Sequence, residues 1–120
     1  MATFSKQILS NSTNGRNILV AQTSSPGTLI HTGSTTLTTY DEIYIYANNT
    51  STSSVKLTLQ WGGTTADRDD IEVTLTGEAG LVTIAPGLLI KGNATALEIS
   101  AFAATTNVIS IFGFVNRITV

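Results

Sequence analysis

The sequence contains no cysteine, and that one absence removes disulfide bridges, thiolate nucleophiles and cysteine-ligated zinc or iron–sulfur clusters together. Charge is scarce as well. Asp, Glu, Lys and Arg make up 12% of the 120 residues, about half the share usual for a soluble domain, and Thr, Ser and Asn take their place. A free monomer keeps more surface charge, because charge suppresses association and blunts exposed sheet edges. The shortage therefore predicts that much of the surface packs against other copies or other proteins. A net charge of −2 supplies no cluster of Lys and Arg for a phosphate backbone, so no nucleic-acid partner is expected. No apolar run approaches the roughly 18 residues that span a bilayer, so no membrane partner is expected either. The N-terminal stretch lacks an apolar block followed by a small-residue cleavage site, and the reading is of a protein made and used without export. The Asn-x-Ser/Thr matches at Asn11, Asn48, Asn49 and Asn93 then carry no glycan.

What the sequence does contain is alternation. Helices have no foothold, because β-branched residues dominate and no window keeps a 3.6-residue period. Asn17–Ala21 is a short β-like run ended by the turn signal Ser24-Ser25-Pro26-Gly27, and Gly27–Thr32 forms the next. In Tyr40–Ala47 two isoleucines take one face and three tyrosines the other. A polar turn over Asn48–Ser54 leads into Val55–Trp61, where Val55, Leu57, Leu59 and Trp61 point inward and Lys56, Thr58 and Gln60 outward. Gly62-Gly63 breaks that strand, and Asp69–Thr76 returns beside it with Ile71, Val73 and Leu75 inward. Leu81–Ile84 and Leu88–Ile90 read as two short strands separated by the turn Ala85-Pro86-Gly87. Ala96–Phe102 alternates again, and Asn107–Val120 is a long final run in which Gly113 predicts a bulge or a close backbone approach. About eight short strands predict an all-β fold, an antiparallel β-sandwich of jelly-roll-like form, although spacing alone leaves an immunoglobulin-like strand order open. Residues 1–16 are assigned to an N-terminal arm or edge strand, dispensable for folding, and residues 17–120 to the sandwich.

The search for chemistry returns little. His31 is the single histidine, and its place in Leu29-Ile30-His31-Thr32 suits a half-buried or interface imidazole better than a catalytic base. Asp67, Asp70 and Glu72 are the candidate ligands for a hard cation such as calcium, in a loop that better suits plain solvation beside Arg68. Trp61 shares the inward parity of its neighbours and is placed in the core or at its rim. Tyr40, Tyr44 and Tyr46 are the leading interface candidates, because tyrosine is enriched where proteins meet. No nucleophile, base and oxyanion arrangement is discernible, so no enzyme and no cofactor is expected.

Several segments resemble small virion structural proteins of tailed bacteriophages: Gly27–Thr32, Asp41–Asn49, Leu59–Ala66, Pro86–Leu89 and Gly113–Arg117. The likeness runs from about Gly27 to Ile118. It implies a capsid decoration or cement protein, made in the host cytoplasm, that sits on the virion surface, binds the major capsid protein and stabilises the assembled head. It further implies self-association, as a homotrimer. The alternative is a tail or spike component that binds a host surface glycan.

Overall fold

The computed structural model describes residues 1–120 as nine strands without a helix. In chain order they are β1 (Thr3–Ile8), β2 (Ile18–Leu19), β3 (Thr28–Thr32), β4 (Thr39–Asn49), β5 (Val55–Trp61), β6 (Asp70–Leu75), β7 (Val82–Lys91), β8 (Glu98–Ala103) and β9 (Ile109–Thr119). They form two antiparallel sheets. The first has the order β1-β9-β4-β7 with β2 also on β9, and the second has the order β3-β8-β5-β6.

The strand order is that of a jelly roll, and the pairings show why. β5 pairs with β6, β4 with β7, β3 with β8, and β2 with β9. This is one long hairpin folded at the β5–β6 loop, each outer pair enclosing the one before. Rolling it up adds the cross-pairs β4–β9 and β5–β8, which close two four-wide layers over a common core. β1 and β2 act as one interrupted edge strand: β1 lies opposite Phe114–Thr119 and β2 opposite Ser110–Ile111 of the same partner.

Alternation places the core as expected. Ile43, Ile45 and Ala47 of β4, Leu57 and Leu59 of β5, Ala101 of β8, and Ile109, Ile111 and Val115 of β9 are completely buried between the layers. Each large aliphatic side chain so enclosed contributes about 1.5–3 kcal/mol. Trp61 is half-buried at the rim, packed against this cluster.

One local expectation changes and another is decided between its alternatives. Ala85-Pro86-Gly87 is not a turn but the middle of β7, a single strand of ten residues. Its register on β4 skips at Gly87 and at Ile84, and these bulges absorb what the sequence signals as a reversal. Proline is tolerated because β7 is the outer strand of its sheet and needs no donor on its free side. Gly113 is a close approach rather than a bulge. β9 runs in unbroken register on β4 there, and a Cβ on Gly113 would strike the carbonyl oxygen of Tyr44.

Candidate interaction surface

The outer face of the first sheet is aromatic. The tyrosine positions of β4 lie beside Phe112, Phe114, Asn116 and Ile118 of β9, because Tyr40 pairs with Ile118, Tyr44 with Phe114 and Tyr46 with Phe112. Antiparallel pairing puts such residues on one face, within reach of each other. The Tyr44 and Phe114 rings stack with centroids 4.6 Å apart and planes 12° from parallel. Lys6 of β1 carries its ammonium 4.9 Å above the Phe114 ring, in cation–π range. On the other side Tyr44 lies over the bulge at Gly87, whose backbone has φ +97° and where a Cβ would meet the tyrosine ring at 3.1 Å. Glycine there is required twice, by backbone conformation and by space.

Polar groups fix this surface. The Tyr44 hydroxyl donates to Glu42 Oε1 at 3.1 Å, and Asn116 Nδ2 donates to the same oxygen at 3.0 Å. The Glu42 hydrogen bond holds the Tyr44 phenol above its ordinary pKa, with partial burial and the nearby carboxylate charge adding to it. The face is rimmed by apolar groups left in water: Phe4 is 70% exposed, Leu89 56% and Ile8 47%. Tyr40, Tyr44 and Tyr46 themselves are half-buried by one another and by β9. They therefore form a flat, ordered platform.

The outer face of the second sheet has a different fate. Thr58 and Gln60, expected outside in water, are buried. Gln60 Nε2 donates to Ser25 Oγ at 2.8 Å, while its Oε1 accepts from Gly27 N–H and Ser100 Oγ, each at 3.0 Å. The Ser25–Gly27 segment thus lies across this sheet and is pinned by one amide side chain.

His31 is not at a surface. A bulge on β3 leaves Ile30 without a partner between Leu29 and His31, so both Ile30 and His31 turn into the core, and the imidazole is only 1% exposed. Strict alternation would have separated them. The expected half-buried or interface position is corrected accordingly: His31 cannot touch a partner in the folded chain. Its Nε2 lies 2.8 Å from Asp41 Oδ2, and its Nδ1 accepts the Ser10 backbone N–H at 3.0 Å. An amide N–H can only donate, which assigns the ring proton to Nε2 and makes Asp41 its acceptor. Asp41 also receives Arg117 Nε at 2.7 Å and Nη2 at 2.8 Å. Burial by itself would raise the Asp41 pKa. The Arg117 and then the His31 hydrogen bonds, with the Arg117 charge, outweigh it and hold the carboxyl at about 2. The same ion pair raises Arg117. This cluster joins β3 of one sheet to β4 and β9 of the other.

The three acidic candidates do not converge. Asp70 Oδ2 accepts the Asp67 backbone N–H at 3.3 Å, and Glu72 pairs with Lys56 at 3.1 Å. No group of three or more His, Asp or Glu side chains is arranged to hold a metal ion. Asp70 turns one oxygen to the Asp67 backbone and leaves Oδ1 buried without a partner, while Glu72 is held across the β5–β6 pair by Lys56, so the expected ligand set of Asp67, Asp70 and Glu72 does not assemble. The larger surface cleft, about 360 Å³ between Pro26–Leu29, Gly62–Thr64 and Asn93–Glu98, has Glu98 as its sole ionisable side chain.

The Asp41–Arg117 pair is the feature that sequence reasoning missed. Its signal was present: Asp41 has the parity of Ile43 and Ile45, a carboxylate on the buried side of a strand, which requires a cation from elsewhere. The fold defines an eight-position jelly roll with one aromatic outer face. Comparison of the chain with models of protein families, with curated proteins and with solved structures finds no match.

Proposed function

We propose that this protein is a virion structural protein of a tailed bacteriophage, a decoration or cement protein that binds major capsid subunits and stabilises the assembled head. The observation that carries this reading is the outer face of the first sheet. A flat, preorganised surface of Tyr44, Tyr46, Phe112 and Phe114, rimmed by exposed Leu89 and Ile8, is what a protein–protein contact uses, since rigid aromatics lose little entropy on docking. The sparse charge and the resemblance of the sequence to phage virion proteins support the same reading. The mechanism is linkage: a protein that binds the assembled lattice better than free subunits stabilises the lattice by that difference. No catalysis is assigned.

Purified protein added to heads that lack it is expected to co-sediment with them and to raise the temperature at which they disrupt. Phe114→Ala and Leu89→Ser, each checked for an intact melting transition, should weaken binding by at least about tenfold. Full-strength binding by both variants would remove the aromatic face from the interface. Labelling of tails instead of heads, together with retention on immobilised host glycans, would favour the tail or spike alternative.

A further inference from the structure

Four strand edges bound the two sheets, and three are blocked. β7 carries Pro86, two bulges and Lys91. β3 is covered by the β1–β2 connection, where Asn11 N–H donates to the Ile30 carbonyl at 3.2 Å and Thr32 N–H donates to Ser10 Oγ at 2.7 Å. β6 carries Asp70 and Glu72 along its six residues. These are the ordinary devices by which sheets avoid extending into a neighbour. β1 has only the weakest of them, one edge charge. Thr3–Ile8 pairs with β9 in continuous register on one side only, contains no proline, bulge or acidic residue, and has a single charge, Lys6.

We infer that the free edge of β1 pairs with β1 of a second copy of this chain, antiparallel about a two-fold axis at Ser5. A strand edge presents alternating backbone donors and acceptors, which only another extended strand satisfies in full. A two-fold axis lets the same edge serve both partners. The register follows from parity and charge. Phe4, Lys6 and Ile8 share the outer face with Ile118, Asn116 and Phe114, their partners on β9, and a slip by one residue would set this face against the inner one. Of the face-preserving registers, two give five residue pairs. One sets Lys6 directly against the partner's Lys6, which like-charge repulsion opposes. The other centres on Ser5 and sets Lys6 against the partner's Phe4, twice by symmetry, so the ammonium already over Phe114 gains a second ring. The two first sheets then join into one, and their aromatic faces become continuous. This arrangement is a dimer, in contrast to the homotrimer that the resemblance implies, and it does not depend on the virion reading.

The register makes the test specific. Sedimentation of the full chain at micromolar concentration should give twice the 12.6 kDa protomer mass. Phe4→Lys places like charges across the axis and should weaken dimerisation by at least about tenfold. Adding Lys6→Glu to that variant restores opposite charges in this register and in no other of equal length, and should recover the dimer. In the cysteine-free chain, Ser5→Cys should form a disulfide-linked dimer on mild oxidation, because residues facing each other across antiparallel strands have Cα atoms about 4.5–5.5 Å apart, within disulfide range. Gln7→Cys faces Thr3 of the partner and should stay unlinked. A monomeric chain, equal cross-linking by both cysteine variants, or a dimer indifferent to Phe4→Lys would overturn the proposal, whatever the outcome of the head-binding experiment.

Discussion

At Asp41 a carboxylate sits in the plane of the core, completely buried, and is tolerated because Arg117 meets it in a two-pronged contact and His31 donates from the opposite sheet. Removing one member of such a cluster leaves the others buried and unpaired, which is costlier than never having built it. The pH dependence has a definite sign. The folded-state pKa of about 2 lies below the ordinary aspartate value of 3.8, so the ionised carboxylate stabilises the fold above about pH 4, and that contribution is lost as pH falls toward 2. The shift corresponds to about 2 kcal/mol. Urea unfolding at successive pH values should show this loss, and an Asp41→Asn chain, less stable at neutral pH, should show a correspondingly smaller decline between pH 4 and 2. An identical decline in both chains would assign the acid sensitivity to other carboxylates. The tyrosines of the same strand show how much of this scale was legible. Their common face, and with it the Tyr44–Glu42 hydrogen bond two residues apart, followed from alternation, whereas the Phe114 stack and the Asn116–Glu42 hydrogen bond depend on β9, about 70 residues away in the chain.

At the scale of elements, the first sixteen residues are woven into both sheets. β1 lies along β9, Leu9 fills the core at 1% exposure, Ser10 binds His31, and Asn11 binds the Ile30 and Leu29 carbonyls. The edge-strand alternative for residues 1–16 holds in β1, but a polar segment with one short apolar pair gave no sign of the anchoring at Leu9–Asn11, because burial there comes from a single leucine and from backbone hydrogen bonds. Deleting residues 1–16 should therefore cost at least about 4 kcal/mol, combining a buried leucine with stranded polar partners on β3. The measurement is a denaturant melt of the truncated chain. A cooperative transition at the midpoint of the full chain would restore the view of residues 1–16 as a dispensable arm. β7 teaches the reverse lesson: Ala85-Pro86-Gly87 has the chemistry of a turn, yet an outer strand with two bulges accepts all three residues without reversing.

At the scale of the whole molecule, the nested hairpin produces two outer faces of unlike character. One is aromatic; the other is crossed by the Ser25–Gly27 segment. With so few charges on the chain, an association through the aromatic face should be nearly independent of ionic strength. Raising NaCl from about 0.05 M to about 0.5 M should change apparent head affinity by less than about threefold, measured by co-sedimentation; a steep fall would point to the Lys and Glu residues instead. The sequence by itself determined the all-β class, the inward positions of β4, β5 and β6, and the shared face of the three tyrosines, since a period of two is a local property of the chain. Beyond the β5–β6 pair, which the Gly62-Gly63 break already announced, only the tertiary structure decided which strands are neighbours, that β1 and β2 share one edge, that His31 turns inward at a bulge, and that Asp41 meets Arg117. Those outcomes depend on contacts between residues far apart in sequence, set by how the long hairpin rolls up, and no local pattern encodes them.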